Sequence, residues 1–299
     1  MPSSYKSQEG EQLVRDRYAA FLKYWPVPHE QLRVPTREGE TFVVACGDPA
    51  APALVLFHGG LTNSSIWMAD VAAWALQFRV YAVDMIGEPG FSAPSRPDLK
   101  TEAYALWLDD VMHALGMSRA SLVGVSLGGW LALDYATRRP AFAASLVVLC
   151  PAGVGRQKFG VLFKVFALQL LGEWGKRGAV ASVLGRAPEN PSPAVRAFGE
   201  FLDLIRAHFR PRRTRLPIFS DAALQRLKMP VLAIVGGRDA LLDSAETRDR
   251  LQRNVAGVDV RFLTDAGHFI AGQTSVILDF LLHGEPRQEQ PVRRNVFPV

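Results

Sequence analysis

Ala120-Ser-Leu-Val-Gly-Val-Ser-Leu-Gly-Gly129 is the stretch on which the reading of this chain turns. Leu122 and Val123 form a short apolar run of strand character, and a helical pattern from Trp130 to Thr137 follows at once. Between them stands Gly124-Val125-Ser126-Leu127-Gly128, a G-x-S-x-G turn from strand to helix. A serine on so tight a turn sits under backbone strain, and the residues two before and two after it must lack a Cβ for strand and helix to approach. The turn projects the Ser126 hydroxyl above the sheet edge. It also leaves the Leu127 N–H at a helix N-terminus, where it can stabilise negative charge.

Alone, these five residues describe many Gly/Ser turns, so their setting decides their meaning. Val231–Gly236 reads as a buried strand and runs into Gly237-Arg238-Asp239. Val258–Leu263 reads as another and runs into Thr264-Asp265-Ala266-Gly267-His268. Ser126, Asp239 and His268 therefore each fall just past the C-terminal end of a predicted strand, the edge where open α/β sheets place their chemistry. Three more strands are expected over Ala53–Phe57, Val80–Val83 and Leu146–Cys150, the first ending at His58-Gly59-Gly60-Leu61 and the second at Asp84. Leu32–Thr36 and Thr41–Cys46 read as a hairpin. Helices are expected over Glu11–Tyr24, Trp67–Phe78, Glu102–Leu115, Val195–Phe209, Ser244–Asn254 and Thr274–Leu282. Gly116 is the expected C-cap of the third.

With these pieces in place the chain resembles the α/β-hydrolase family, in its serine esterase-type branch. The resemblance rests on the elbow, on His58-Gly59-Gly60 and on the order serine, acid, histidine. It implies a mostly parallel eight-stranded sheet with helices on both faces and an inserted helical cap. The expected organisation is an N-terminal helical extension over 1–30, a core over 31–151 and 226–283, a cap over 152–225 and a flexible tail over 284–299.

Neutral serine is a poor nucleophile and needs a base, which needs an orienting partner. His268 is the expected base, because among the six histidines only it has the Gly-His pairing after a terminal strand. Asp239, 29 residues earlier, matches the family's acid position. Asp243, Asp265 and Asp84 are its rivals, the first two better suited to capping a helix or facing solvent. Leu149-Cys150-Pro151 offers no acid after its strand. The oxyanion donors implied by the resemblance are the N–H groups of Leu127 and Gly60, with Leu61 as the alternative to Gly60. His58 is expected to tie its loop down. Trp67 resembles a family aromatic and also reads as plain core. Asp84-Met-Ile-Gly87-Glu-Pro-Gly90-Phe-Ser92 resembles the family's D-x-x-G-x-G-x-S segment, with one extra residue between the glycines, and reads as a structural turn.

The 299 residues carry a net charge of +5, with 48% hydrophobic residues and two cysteines. That composition suits a soluble globular protein without a membrane span. Cys46 and Cys150 read as buried thiols in a reducing, cytoplasmic setting. Arg206, Arg210, Arg212, Arg213 and Arg215 read as a solvated helix end, and the arginines lack the interleaved aromatics of a nucleic-acid surface. No cofactor or metal motif is present. The expected function is hydrolysis of a small uncharged ester through an acyl-enzyme, with a Phe159–Leu171 cap helix lining the acyl pocket. Carbon–carbon bond hydrolysis or perhydrolysis by the same residues, and a non-catalytic small-molecule receptor, are the alternatives.

Overall fold

The computed structural model describes residues 4–158, 190–212 and 214–284. One sheet of eight strands organises it. The strands are β1 (His29–Thr36), β2 (Gly39–Cys46), β3 (Ala53–Phe57), β4 (Arg79–Val83), β5 (Ala120–Val125), β6 (Ala143–Leu149), β7 (Val231–Gly236) and β8 (Asp259–Leu263). Their order is β1-β2-β4-β3-β5-β6-β7-β8. β1 and β2 form an antiparallel hairpin, β2 joins β4 antiparallel, and every later pairing is parallel.

The inner strands are apolar on both faces because both are covered. Val55, Phe57, Leu122, Val148 and Ala233 pack beneath α3 (Ala103–Ala114), α4 (Leu127–Arg138) and the helix Ser244–Asn254. Leu54, Leu56, Val123, Val147 and Ile234 face the other way, toward α1 (Gln8–Leu22), α2 (Val71–Trp74) and the closing helix Thr274–His283. Parallel strands need such crossovers, which leave all their C-terminal ends on one edge. Gly116, at φ +69°, ends α3 as expected, with its N–H donated to His113 O and that of Met117 to Met112 O.

One helical expectation fails. The stretch Trp67–Phe78 breaks into a 3₁₀ turn over Ser64–Trp67 and the single turn α2. The cause is tertiary. Asp84 accepts the Ser64 N–H at 3.0 Å, the Ser64 hydroxyl at 2.7 Å, the Tyr18 hydroxyl at 2.9 Å and the Phe91 N–H at 2.9 Å, which pins this segment to the end of β4. Tyr18 belongs to α1, so the N-terminal helix reaches the edge where the strands end. α1 also packs on α5 (Pro193–His208), with Phe21 stacked on Phe201 at 5.1 Å and Lys6 and Arg210 bonding across a short bridge between Tyr5 and Phe209. The expected helix Phe159–Leu171 and the tail beyond 284 lie outside the described residues. No described helix is long and apolar enough to cross a membrane.

Candidate active site

Ser126 stands between β5 and α4 with φ +54° and ψ −110°, a conformation that costs a non-glycine residue about 1–3 kcal/mol. The surroundings hold it there. Its N–H donates to Leu149 O at 2.9 Å, and its carbonyl accepts from Trp130 and Ala152. A Cβ on Gly124 would stand 2.3 Å from Gly128 O, and one on Gly128 would stand 2.2 Å from Phe57 O. The two glycines thus allow strand and helix to meet at backbone contact distance.

Ser126 Oγ lies 3.0 Å from His268 Nε2, and His268 Nδ1 lies 2.7 Å from Asp239 Oδ2. The other carboxylate oxygen, Oδ1, accepts the N–H groups of Leu241 at 2.7 Å and Leu242 at 3.0 Å. Both lone-pair ends of the carboxylate are therefore occupied and the acid is fixed. Asp239 and His268 are buried at 3% and 8% exposure, whereas Ser126 is half-buried. The three groups come from the ends of β5, β7 and β8 and meet in one line. The rival acids lie elsewhere. Asp84 holds the Ser64 turn, Asp243 caps the helix Ser244–Asn254 by accepting the Glu246 N–H, and Asp265 is an exposed partner of Arg238.

Burial alone raises the Asp239 carboxyl. The hydrogen bond and charge of His268, with the two backbone donors, outweigh it and leave the group below the usual carboxylate range. A carboxyl lowered on folding contributes stability above its unfolded value near 3.9 and loses it as pH falls through the folded value. The Tm gap between the parent and Asp239→Asn is therefore expected to shrink below about pH 4 in calorimetry. A gap that widens on acidification contradicts this placement of the charge.

Gly59 and Gly60 lie against the elbow, where a Cβ on Gly59 would stand 3.8 Å from Ser126 Cβ and one on Gly60 3.6 Å from Leu127 Cδ2. The Leu61 N–H is donated to Glu88 Oε2 at 2.9 Å, which leaves Gly60 as the better-placed donor of the two. The Leu127 N–H begins α4, ahead of the helical ladder. Burial lowers the His58 pKa. That ring accepts the Met85 N–H at 2.9 Å on Nε2 and contacts Gly59 O at 2.8 Å through Nδ1, so it fastens the loop to the end of β4. Trp67 packs on Trp74 in the core at 5.8 Å.

Three neighbours escape a reading of the sequence. Cys150 follows β6 at φ +39° and brings its sulfur within 4.8 Å of both Asp239 and His268. Burial, then the Asp239 charge, pushes its thiol up to about 12, so it remains protonated. Glu88 is buried, and burial raises its carboxyl despite the Leu61 donor and the nearby Arg212 and Arg96. Arg212, expected in a solvated helix end, turns inward with only 11% of its side chain exposed. The extra residue in the 84–92 segment and the arginine cluster were the only outward signs of that pair.

A sequence model described as the Alpha/beta hydrolase family matches residues 54–277. The chain is 32% identical over 258 residues to Carboxylesterase YbfK of Bacillus subtilis (strain 168), covering 85% of this chain and 86% of that protein. It is 29% identical over 257 residues to a protein of the same strain named uncharacterized carboxylesterase nap, covering 85% of each. The crystal structure of naproxen esterase (carboxylesterase NP) from Bacillus subtilis aligns with a TM-score of 0.79 at 26% identity, over 93% of this chain and 98% of that one.

Proposed function

The chain belongs to the alpha/beta hydrolase family, and from that premise we propose that it is a serine carboxylesterase acting on small uncharged esters. Ser126 Oγ attacks the ester carbonyl while His268 Nε2 takes its proton. Asp239 holds the other ring nitrogen and stabilises the imidazolium that forms. The Gly60 and Leu127 N–H groups receive the oxyanion. The imidazolium then protonates the departing alcohol, leaving Ser126 acylated. Water, deprotonated by His268, attacks the acyl group, and the acid leaves as Ser126 recovers its proton.

The observation that carries this reading is the unbroken line from Ser126 Oγ through His268 to Asp239, at 3.0 and 2.7 Å. Two relatives named as carboxylesterases, matched over 85% of this chain, support the ester as the bond cleaved. Acyl preference is assigned to the 152–225 cap, and the two buried thiols suit a reducing, cytoplasmic setting. A fluorophosphonate probe followed by peptide mass spectrometry tests the chemistry. The expected result is one adduct on Ser126, together with turnover of p-nitrophenyl esters that falls as the acyl chain lengthens past the pocket. Folded protein that takes no adduct and turns over no ester is a binder, not an esterase.

A further inference from the structure

Behind the Gly59–Leu61 loop stands a group of side chains that the proton relay does not use. Leu61 holds φ +59°, a left-handed conformation that a leucine keeps only when its surroundings impose it. Its N–H is held by Glu88 Oε2, while Glu88 Oε1 has no hydrogen-bond donor among the described residues. Arg212 Nε lies 3.9 Å from Oε1 and is likewise without an acceptor there. The Arg212 guanidinium is steadied by donating to the Tyr104 hydroxyl at 2.6 Å and lies 5.7 Å from the centre of that ring. A second guanidinium, Arg96, donates to Gly87 O at 2.8 Å and to Arg210 O at 2.9 Å, joining the turn that carries Glu88 to the chain leaving α5.

Position gives this group its meaning. A Cβ on Gly60 would stand 4.0 Å from Glu88 Oε2 and 3.6 Å from Leu127, so the loop is held between the carboxylate and the elbow. A buried carboxylate so near a developing oxyanion opposes it unless cations compensate, and a buried charge lacking a partner is itself costly. Arg212 and Arg96 are those cations. We propose that Glu88 is a positioning residue of the oxyanion loop. It removes the Leu61 N–H from the reacting centre, fixes the Gly60 N–H toward Ser126, and is neutralised by Arg212 and Arg96. The chain leaving α5, within the 152–225 segment, is thereby coupled electrostatically to the loop that stabilises the transition state.

This inference rests on the assignment of Ser126 as nucleophile and of Gly60 and Leu127 as donors, and its test separates the two. Active sites are first counted with the fluorophosphonate probe, and p-nitrophenyl butyrate turnover is then expressed per titrated site. A parent that takes no label at Ser126 removes the catalytic reading before any variant is made. With a labelled parent, Glu88→Ala is expected to lose about 10- to 100-fold in kcat with KM within about twofold, since a loop displaced by a fraction of an ångström loses transition-state contacts more than ground-state ones. Glu88→Gln, which keeps an acceptor for Leu61, is expected to regain at least half of that loss on a logarithmic scale. A Glu88→Ala protein whose kcat per site stays within twofold of the parent overturns the proposal. If that variant does not fold, the cycle of Arg212→Met, Glu88→Gln and the double variant decides. Arg212→Met leaves the buried carboxylate with Arg96 as its remaining cation and is expected to lose about tenfold in kcat, part of which the double variant recovers. Strictly additive losses overturn the proposal.

Discussion

Ser126→Ala is expected to lower turnover of an activated ester by about 10⁴- to 10⁶-fold, with Tm within about 2 °C of the parent. The size follows from the role. Without Oγ no acyl-enzyme forms, and His268 is left to activate water against a carbonyl positioned for a nucleophile that is gone. What remains is the oxyanion pocket and substrate binding, which on related constellations keep a residual rate above that in water. The small Tm change follows from position, because Ser126 is half-buried and its tight backbone geometry is retained by alanine. Rates per folded molecule and a thermal scan on the same preparation check both halves. A variant within tenfold of the parent in rate removes Ser126 as the nucleophile.

The second large effect is on folding. Gly128→Ala is expected to cost more than about 3 kcal/mol, a Tm loss of about 6 °C or greater, or to leave no folded protein. The added methyl carbon would stand 2.2 Å from Phe57 O and 2.4 Å from His58 O, both backbone atoms of β3 and its end. No side chain can turn away to make room, so α4 must lift off the sheet and carry the elbow with it. Gly199, inside α5 with nothing within 4 Å of a Cβ, is the matched control. Gly199→Ala is expected to leave Tm unchanged or raise it by one or two degrees, through the better helix propensity of alanine. Equal Tm for the two variants contradicts the close approach at the elbow.

The parts of this molecule that the sequence made legible are those whose cause is local. β3 and β7 were bounded correctly at both ends, since a continuous apolar run between breakers has one reading when both faces are covered. The helix Ser244–Asn254 was likewise bounded at both ends, where Asp243 caps it. The placement of Ser126, Asp239 and His268 at strand ends was legible because each follows such a run. The segment 64–74 was not, because an apolar helical pattern there is overruled by Asp84, a partner 20 residues from Ser64. Nor was the Glu88–Arg212 approach, which joins residues far apart in sequence and leaves no periodic trace. Tyr18 on Asp84 is the same kind of contact.

The strand order has a consequence for the history of each molecule. Ser126 is carried by the fifth strand to be synthesised, but its base follows the eighth, which pairs only with β7 at the far edge of the sheet. On a translating ribosome the elbow can be built while residues 239 and 268 are still unmade or inside the exit tunnel, so the nascent chain is chemically silent. The same order makes the last-docked strand the one on which reactivity depends, and fraying at that edge would disarm the serine before the rest of the sheet unfolds.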